Sequence, residues 1–390
     1  MKINPKIFQT NDIRGLYPQE VNEKFAYLLG KAIVKISKAK TIVIGGDKRA
    51  SSKILFKALS RGVIDYGAEV IDIGKISTPI FYFAVAEHRP ADAGVMITAS
   101  HLTNQYNGFK MVDNKSMSLD IKQRIKIKKL IEKENFKSLK KKGNIIKENA
   151  FDNYCQKKIS LIKTPMAELN EMAKKIKFAI KYDTDKDRIM FFDEKKEKIP
   201  GDLITALLAK YILKNNKGEK IVITSNSSKI VREEIEKAGG KPIVSKIGHY
   251  FLKKKMVEEK AIFGGEISGH YYFKDFYFCE CPDLVLLKVL EIIKKEKKTL
   301  RELIKPFKKY CHSGEINFKI RNKEKKINEI KKYFKESKKS FLDGLTCEFE
   351  DWWFNLRTSN TENILRLTLE AKDKKLMEEK IIYLKKFIKN

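Results

Sequence analysis

The sequence TASHLTNQYNGFK, residues 98–110, directly follows the apolar run GVMI at 94–97. The apolar run predicts a buried strand, and the glycine of NGFK predicts a turn near the far end of the segment. In α/β proteins the loop that leaves the carboxyl end of a strand is the usual place for chemistry. Ser100 would serve there as a nucleophile with His101 beside it, and Lys110 would supply a cation for an anion. A serine that only caps a helix would give the same local sequence, so the rest of the chain has to decide.

The composition is that of a folded chain with room for several domains. The chain has 390 residues, of which 42% are hydrophobic. No uncharged apolar run reaches the roughly 18 residues of a membrane span, and the first residues contain no apolar signal-peptide core. We therefore expect no membrane span and a cytoplasmic location. The five cysteines favour reduced thiols, and Cys279 and Cys281 alone make a poor zinc site.

The chain carries a large excess of positive charge, with 82 Lys and Arg against 50 Asp and Glu and a formal net charge of +32. Such an excess can mark a nucleic-acid-binding protein, whose cations neutralise phosphates. Here the lysines are spread through every segment and alternate with glutamates on predicted helix surfaces. The sequence also holds no arginine-rich arm, zinc finger or RNP-like strand. We therefore expect no nucleic-acid partner, only a positive field that attracts anions.

The first 110 residues predict an α/β unit in which strands and helices alternate. Arg14 lies ahead of these elements in NDIRG, on a predicted turn, and by itself it would be an ordinary surface arginine. The alternation and its spacing predict a largely parallel sheet with crossover helices. Strands are predicted at 41–44, 69–73 and 94–98, and helices begin at the Ser51-Ser52 pair and at Thr78-Pro79.

The segment YDTDKDRIMFFDE places three aspartates at alternate positions. In an extended loop Asp183, Asp185 and Asp187 would direct carboxylate oxygens at a hard cation such as Mg²⁺. Glu194 falls at the twelfth position of an EF-hand loop, but the sixth position is Arg188 rather than glycine, and the flanks predict strands instead of helices. The EF-hand interpretation therefore fails, and a solvated acidic turn remains the alternative from the residues alone.

A second α/β pattern begins near residue 199 and contains GEISGH, residues 265–270. Its simplest interpretation is a glycine turn between two strands. Alternatively, Glu266 would accept hydrogen bonds from ligand hydroxyl groups and Ser268 would donate one, while the glycines let the backbone approach the ligand.

The last part of the chain, from about residue 311, predicts an α+β unit with RTSNTENILR between its last two strands. This segment would place a bidentate cation, two hydroxyl groups and an amide on one tight turn, a combination suited to binding phosphate. An ordinary polar hairpin is the alternative. The side chains concerned are Arg357, Ser359, Asn360 and Thr361.

These segments together resemble, in the same order and across nearly the whole chain, the signature segments of the α-D-phosphohexomutases. Members of this family move phosphate between the 1- and 6-hydroxyls of a hexose. The GE-x-SGH form followed by aromatic residues is most similar to the phosphomannomutase/phosphoglucomutase branch, and DKRASS at 47–52 also fits the family. The resemblance implies an α/β architecture of several domains around a central cleft, with mixed-sheet α/β domains and a C-terminal α+β domain. The predicted domains are 1–147 with the phosphoserine loop, 148–198 as a truncated second domain with the metal loop, 199–308 for sugar binding and 309–390 for phosphate binding.

The resemblance implies a reaction through a phosphorylated serine. Ser100 would pass its phosphoryl group to the sugar and take the other phosphate back. A hexose 1,6-bisphosphate would be the intermediate and the activator. A Mg²⁺ ion would neutralise the charge of the phosphoryl group. Its ligands would be a phosphoserine oxygen of Ser100 and the carboxylates of Asp183, Asp185 and Asp187.

The resemblance also assigns residues to charge stabilisation, proton transfer and binding. Charge on the transferring group would be stabilised by Arg14, Lys110 and Arg188. The candidates for proton transfer are His101, Lys110 and His270. The sugar would be bound by Glu266, Ser268 and His249, and its existing phosphate by Arg357, Ser359, Asn360 and Thr361. The partner is then a small sugar phosphate, and we expect a monomer or a weak dimer.

The chain departs from the family pattern at several places. Asp183 follows Ser100 by only 83 positions, and 111–178 predict lysine-rich helices where the family has a complete second α/β domain. Two alternatives therefore stay open, a phosphoglucosamine mutase and a catalytically impaired paralogue that only binds sugar phosphates. The substituted positions are Asn11 for tyrosine, Leu102-Thr103 for Asn-Pro, Lys186 for a small residue, Asn226 for a basic residue and Asn363 for proline.

Overall fold

A mixed sheet of six strands contains the strand that leads to Ser100. The computed structural model describes residues 1–9, 12–88, 91–136, 142–359 and 364–389. The first elements are β1 (Ile13–Leu16), α1 (Glu23–Ser37), β2 (Thr41–Gly46), α2 (Ala50–Asp65), β3 (Glu69–Lys75), α3 (Thr78–Glu87), β4 (Ala93–Ile97), β5 (Tyr106–Asp113), α4 (Ile121–Lys133), β6 (Ile145–Lys147) and α5 (Ala150–Ser160). The strand order in the sheet is β1-β5-β4-β2-β3-β6.

The centre of this sheet is parallel and one side of it is antiparallel. β2 pairs in parallel with β3 and β4, and β3 pairs in parallel with β6. β5 runs antiparallel to both β4 and β1. The three predicted strands are confirmed, but the sheet is less parallel than predicted because the chain returns directly from β4 into β5, which only antiparallel neighbours permit. The sequence does not predict β6, since three residues are too few to show a period.

Arg14 and Gly108 lie in strands, so the two predicted turns are wrong. The two residues face each other in the register of β1 and β5. A side-chain carbon added at Gly108 would lie 1.9 Å from the carbonyl oxygen of Ile13. The glycine is therefore required by the close approach of two strands and not by a turn.

The predicted cap at Ser51-Ser52 is also wrong. The helix α2 begins at Ala50 with Arg49 as its N-cap and without a side-chain capping bond. Ser51 and Ser52 instead accept hydrogen bonds from Nδ2 of Asn107, at 2.8 and 3.1 Å. Their hydroxyl groups thus tie the first turn of α2 to strand β5.

The next part of the chain contains short strands and a second parallel arrangement. Its elements are α6 (Met166–Ala173), β7 (Ala179–Tyr182), β8 (Ile189–Phe192), β9 (Lys198–Ile199), α7 (Gly201–Leu213), β10 (Lys220–Thr224), α8 (Lys229–Lys237), β11 (Lys241–Ser245), α9 (His249–Glu259), β12 (Phe263–Gly265), β13 (Tyr271–Phe273), β14 (Cys279–Glu280), α10 (Pro282–Glu296) and α11 (Leu300–Ile304). β10 pairs in parallel with β11 and with β12, as the second α/β pattern predicts.

The C-terminal part is an antiparallel sheet with helices, as predicted for an α+β unit. Its elements are β15 (Cys311–Phe318), α12 (Lys323–Tyr333), β16 (Lys338–Ser340), β17 (Leu345–Glu348), β18 (Trp352–Thr358), β19 (Leu365–Ala371) and α13 (Lys374–Lys389), and the strand order is β15-β19-β18-β17-β16. Alternate side chains of β18 and β19 point to opposite faces. The apolar face, with Phe354 and Leu367, packs against Leu384 of α13. The other face carries buried polar side chains, namely Asn355, Arg357, Thr368 and Glu370.

The chain divides into two compact units. The first comprises Met1–Met166, Tyr182–Ile189 and Tyr272–Leu286, and the second comprises Ala167–Lys181, Met190–Tyr271 and Leu287–Asn390. The serine loop and the aspartate loop therefore both belong to the first unit, while GEISGH and Arg357 belong to the second. In the part of the chain that the structure describes, no helix is long and apolar enough to cross a membrane.

The segment that follows the six-stranded sheet packs within the first unit through aromatic rings. The ring of Tyr154, in α5, lies 5.7 Å from that of Phe83 in α3 and 5.3 Å from that of Phe276. The rings of Phe83 and Phe276 stack at 5.0 Å. Tyr154 thus packs α5 against α3, in the part of the chain where a shortened second domain is predicted.

Candidate active site

Ser100 lies three residues after the end of β4 in a backbone conformation that few serines adopt. Its φ is +58°, in the left-handed region, and the residue is buried. Its amide donates a hydrogen bond to the hydroxyl of Thr98 at 2.9 Å. The Ser100 hydroxyl lies 3.4 Å from Nδ1 of His101. Strained backbone of this kind persists where the surroundings hold it, and it is concentrated at functional sites.

Arg49 holds the serine loop by its backbone, a role that the sequence analysis missed. Its Nη2 donates hydrogen bonds to the carbonyl oxygens of Ser100, at 2.9 Å, and Leu102, at 2.6 Å. The same guanidinium forms an ion pair with Asp47. The signals in the sequence were the fit of DKRASS at 47–52 to the family and an aspartate two positions before an arginine, which many surface turns also show.

His101 is exposed at the tip of the loop and faces positive charge. Partial desolvation and the charges of Arg14 and Arg188 lower the pKa of His101. Arg14 is itself held by Asp12, whose Oδ2 accepts hydrogen bonds from Nε at 3.0 Å and Nη2 at 2.7 Å. A lowered pKa keeps the imidazole neutral near pH 7, so a ring nitrogen can accept a proton.

Lys110 joins the serine strand to the aspartate loop. Its Nζ lies 3.1 Å from Oδ2 of Asp185 and 3.7 Å from Oδ2 of Asp187, and all three side chains are buried. Burial works against the ammonium charge, yet Tyr82 and the two carboxylates outweigh it and raise the pKa of Lys110 above its usual range. In this arrangement Lys110 is a cation at neutral pH.

Arg188 binds the first aspartate of the loop. Its Nε lies 3.0 Å from Oδ2 of Asp183, and its amide donates to Oδ1 of Asp183 at 3.2 Å. Burial and the neighbouring Asp187 raise the pKa of Asp183 to about 6, although Arg188 opposes this shift. The raised pKa reflects first the burial of Asp183 and then the charge of its neighbour Asp187.

The donor set of the aspartate loop fits Mg²⁺ in its chemistry. It consists of carboxylate oxygens alone, which hard divalent cations prefer. Among the residues that the structure describes, however, no three acidic, histidine or cysteine side chains converge as a metal-binding group. Lys110 and Arg188 hold these aspartates by ion pairs, so a metal ion has to compete with the two cations for the same oxygens.

Glu194 has a structural role that agrees with rejecting the EF-hand. Its carboxylate accepts hydrogen bonds from the amides of Leu300, at 2.8 Å, and Arg301, at 3.0 Å. These amides begin the helix α11 and have no partner inside it. Glu194 therefore serves this helix end and is not part of the aspartate loop.

The GEISGH segment forms a tight turn between β12 and β13, as the sequence predicts. The amide of Glu266 donates to the carbonyl oxygen of His270, and the amide of Gly269 donates to that of Glu266, both at 3.0 Å. Glu266 is buried at 4% exposure, whereas Ser268 is exposed. His249 begins the helix α9.

Arg357 lies in strand β18 and not on the predicted tight turn. It is buried, and its Nη2 lies 2.5 Å from Oε1 of Glu315. Ser359 follows the strand, and its amide donates to the carbonyl oxygen of Ile364 at 3.0 Å, which closes the connection to β19. The remaining predicted positions of this turn, Asn360, Thr361 and Asn363, lie outside the described residues, as does Asn11.

Asn226 stands where the family pattern has a basic residue, and it is engaged inside the protein. Its Oδ1 accepts a hydrogen bond from the hydroxyl of Thr224 at 2.8 Å, and its carbonyl oxygen lies 3.2 Å from Nε2 of His312. The side chain is 1% exposed. This asparagine therefore stabilises the loop after β10.

The described site residues divide into two sets, one in each compact unit. The first set surrounds the serine and aspartate loops and consists of Arg14, Ser100, His101, Lys110, Asp183, Asp185, Asp187 and Arg188. The described members of the second set are His249, Glu266, Ser268, His270, Arg357 and Ser359.

Comparisons with known proteins match this chain along most of its length. Family models match for phosphoglucomutase/phosphomannomutase α/β/α domain I at residues 5–138, α/β/α domain III at 200–310 and the C-terminal domain at 315–380. The chain is 39% identical to a phosphomannomutase of Methanocaldococcus jannaschii over 439 aligned positions, which cover 98% of this chain and 97% of the relative. That alignment is longer than this chain, so the relative carries residues that have no counterpart here.

Solved structures share the fold. A phosphoglucomutase/phosphomannomutase family protein of Burkholderia thailandensis superposes with a TM-score of 0.88 at 22% identity, covering 100% of this chain and 98% of that one. An N-acetylphosphoglucosamine mutase of Aspergillus fumigatus, solved in complex with glucose 1,6-bisphosphate, superposes with a TM-score of 0.55 at 14% identity and covers 97% and 94%.

Proposed function

Because the chain belongs to the phosphoglucomutase/phosphomannomutase family, we propose that it is an isomerase that interconverts hexose 1-phosphates and hexose 6-phosphates, with mannose or glucose as the sugar. The main support for this proposal comes from the residues that surround Ser100. A buried serine in a strained loop has a neutral imidazole 3.4 Å from its hydroxyl, and two arginines act on that imidazole. A cluster of aspartates in the same unit completes the requirements of phosphoryl transfer.

Ser100 is the proposed carrier of the phosphoryl group. In the first half of the reaction a hydroxyl oxygen of the sugar attacks the phosphorus, and the bond between phosphorus and the Ser100 oxygen breaks. The proton of the attacking hydroxyl passes to a base, and the serine oxygen takes up a proton. The product is a hexose 1,6-bisphosphate, whose other phosphate returns to Ser100 by the same steps in reverse. Atoms and charge balance without any further reactant.

Arg14, Arg188 and His101 are the proposed residues that act on the transferring group. The two guanidinium groups would stabilise charge on the phosphoryl oxygens. His101 is the best base among the proton-transfer candidates of the first unit, because its pKa is lowered while Lys110 is held as a cation. Mg²⁺, bound by Asp183, Asp185, Asp187 and a phosphoserine oxygen, would neutralise part of the phosphoryl charge.

The second unit supplies the proposed binding groups for the sugar and its existing phosphate. The buried carboxylate of Glu266 suits sugar hydroxyl groups, and the buried guanidinium of Arg357 suits a phosphate. The sequence adds His249, Ser268 and His270 near the sugar, and Ser359, Asn360 and Thr361 near the phosphate. The division into domains 1–147, 148–198, 199–308 and 309–390, a cytoplasmic location and a monomeric or weakly dimeric state are proposed on the same sequence grounds.

Turnover of defined substrates tests this proposal. Mannose 1-phosphate and glucose 1-phosphate are supplied separately with Mg²⁺ and a trace of hexose 1,6-bisphosphate, and the 6-phosphates are measured. We expect turnover by the wild type, a loss of orders of magnitude in Ser100→Ala, and little change in Thr103→Ala, whose side chain is exposed in the same loop. If the wild type turns over only glucosamine 1-phosphate, the proposed substrate is wrong. If it binds all three sugar phosphates without turnover, the proposal that the protein is an enzyme is wrong.

A further inference from the structure

Two arginines stand directly opposite each other in the C-terminal sheet. Arg357 of β18 pairs with Arg366 of β19 in the antiparallel register, so both side chains lie on the same face. Like charges directly opposite each other destabilise a pair of strands. Glu315, which follows a bulge in β15, bridges them. Its Oε1 lies 2.5 Å from Nη2 of Arg357, and its Oε2 lies 3.1 Å from Nη1 of Arg366.

The three side chains differ in how firmly the fold holds them. Arg357 is 6% exposed, whereas Arg366 and Glu315 are 21% and 33% exposed. A guanidinium that is buried to this degree needs an anion beside it. Glu315 is the most exposed of the three, so its carboxylate can leave the cluster more readily than the buried guanidinium of Arg357. The arginines are the fixed part of this cluster and the carboxylate is the exchangeable part.

We propose that Glu315 is a resident carboxylate that competes with the phosphate of the substrate for Arg357 and Arg366. A carboxylate presents two oxygens to guanidinium groups as a phosphate does, so the two anions take the same donors. This inference rests on the proposed function, in which Arg357 binds the phosphate that is not being transferred. Glu315 then sets how tightly that phosphate is bound and how fast it leaves.

Weaker binding of the phosphate suits the proposed reaction. In every catalytic cycle one phosphate of the bisphosphate intermediate has to dissociate from the arginines, and the other phosphate then has to bind to them. Two arginines alone present two positive charges to a dianion, whereas the cluster with Glu315 presents one. A carboxylate that takes the place of the departing phosphate also prevents the buried guanidinium from remaining without an anion. Release and rebinding are therefore faster with Glu315 than without it.

The test is the affinity for inorganic phosphate, measured by calorimetry on the full chain, in Glu315→Gln. Glutamine keeps the length and one acceptor oxygen but removes the charge. We expect phosphate to bind roughly threefold to tenfold more tightly, as the loss of one partly screened charge next to a dianion implies. We also expect KM for the sugar phosphate to fall together with kcat, because release becomes slower. Glu336→Gln, an exposed glutamate of the same unit, changes the net charge equally and is expected to change neither.

The outcomes separate this inference from the proposed function. Unchanged or weaker phosphate binding in Glu315→Gln would overturn the inference, because Glu315 would then only orient Arg357. If the glutamine variant does not fold, Glu315→Asp replaces it, because aspartate retains the charge but holds the carboxylate farther from the arginines. We then expect a smaller increase in the affinity for phosphate. Arg357→Ala tests the proposed site itself. If Arg357→Ala loses phosphate binding and Glu315→Gln does not tighten it, Arg357 is confirmed as a phosphate ligand and the competition by Glu315 is refuted. If Arg357→Ala has no effect, the phosphate site lies elsewhere and both fail.

Discussion

The ammonium of Lys110 lies 3.1 Å from Oδ2 of Asp185, although 75 positions separate the two residues in the sequence. This ion pair connects the strand after the serine loop with the aspartate loop. It neutralises a buried carboxylate that the proposed mechanism assigns to a metal ion. Metal binding and the charge of Lys110 are therefore opposed.

Replacing Lys110 by methionine tests this opposition. We expect divalent cations to bind about threefold to tenfold more tightly, because a competing cation is removed, while kcat falls because a charged group of the site is lost. Without metal the variant should be less stable than the wild type, since Asp185 and Asp187 lose their counterion, and added Mg²⁺ should raise its Tm more. The measurements are Mn²⁺ binding by electron paramagnetic resonance and thermal unfolding. Lys115→Met, an exposed lysine just after β5, is the control, and weaker Mn²⁺ binding in Lys110→Met would refute the competition.

Replacing Arg49 by lysine tests how the serine loop is held. Lysine keeps the charge, but it lacks the planar guanidinium group that donates to the carbonyl oxygens of both Ser100 and Leu102. We expect kcat to fall by about tenfold or more with little change in KM, because the position of the serine changes and not the binding of the sugar. Lys48→Gln, next to it and exposed, should leave both constants unchanged. A kcat in Arg49→Lys equal to that of the wild type would show that a positive charge at this position is sufficient.

Asp202, in the first turn of α7, predicts a pH dependence of stability. Burial raises its pKa from the ordinary 3.8 to about 6, with Glu370 adding to the shift and His312 opposing it. Between these two pH values the folded state binds more protons than the unfolded state, so the free energy of unfolding falls as the pH rises from about 4 to about 6.

Asp202→Asn removes this penalty and retains an acceptor for the amide of Ser228, which lies 3.0 Å from the carboxylate. Its stability relative to the wild type should rise with pH by roughly 1–3 kcal/mol between pH 4 and 7. Urea unfolding at several pH values measures the difference. A difference that stays constant with pH would show that the carboxylate titrates normally.

Asp283 connects the helix α5 with the residue before the aspartate loop. It accepts hydrogen bonds from the hydroxyl groups of Tyr182, at 2.8 Å, and Tyr154, at 3.2 Å. We expect Asp283→Ala to lower the free energy of unfolding by about 1–3 kcal/mol and to weaken Mn²⁺ binding, because Tyr182 directly precedes Asp183. Tyr154→Phe removes one contact of Asp283 to α5 and the contact of the Tyr154 hydroxyl to Cys281, but it keeps the hydrogen bond from Tyr182. It should therefore cost stability and leave Mn²⁺ binding unchanged. Equal metal affinity in wild type and Asp283→Ala would refute this support of the loop.

The sequence predicted those elements whose signals are local. Apolar runs that end in glycine or in capping residues identified β2, β3 and β4, and the order of the polar segments identified the family. It did not predict that Arg14 and Gly108 lie in paired strands, because antiparallel pairing between segments about 90 positions apart leaves no local period. The same holds for the ion pairs of Lys110 with Asp185 and of Arg357 with Glu315. Long-range contacts of this kind are decided by the packing of the sheets.

The sequence also assigned hydroxyl groups to the wrong task. Ser51 and Ser52 have the side chains of helix caps, and the pattern was interpreted accordingly. In the structure the helix begins at Ala50 with Arg49 as its N-cap, and the hydroxyl groups accept hydrogen bonds from Asn107 of a neighbouring strand. Capping residues and buried polar contacts use the same side chains, so only the three-dimensional neighbours distinguish them.

The phosphorylation state of Ser100 after incubation with glucose 1,6-bisphosphate and Mg²⁺ tests the proposed mechanism most directly. Intact mass spectrometry followed by peptide mapping measures it in the wild type and in Ser100→Ala. We expect one phosphoryl group per chain, located on Ser100, that is lost on addition of a hexose monophosphate, and none in the variant. A wild type that turns over sugar phosphates without ever carrying phosphate on Ser100, or a Ser100→Ala variant that remains active, would contradict this mechanism.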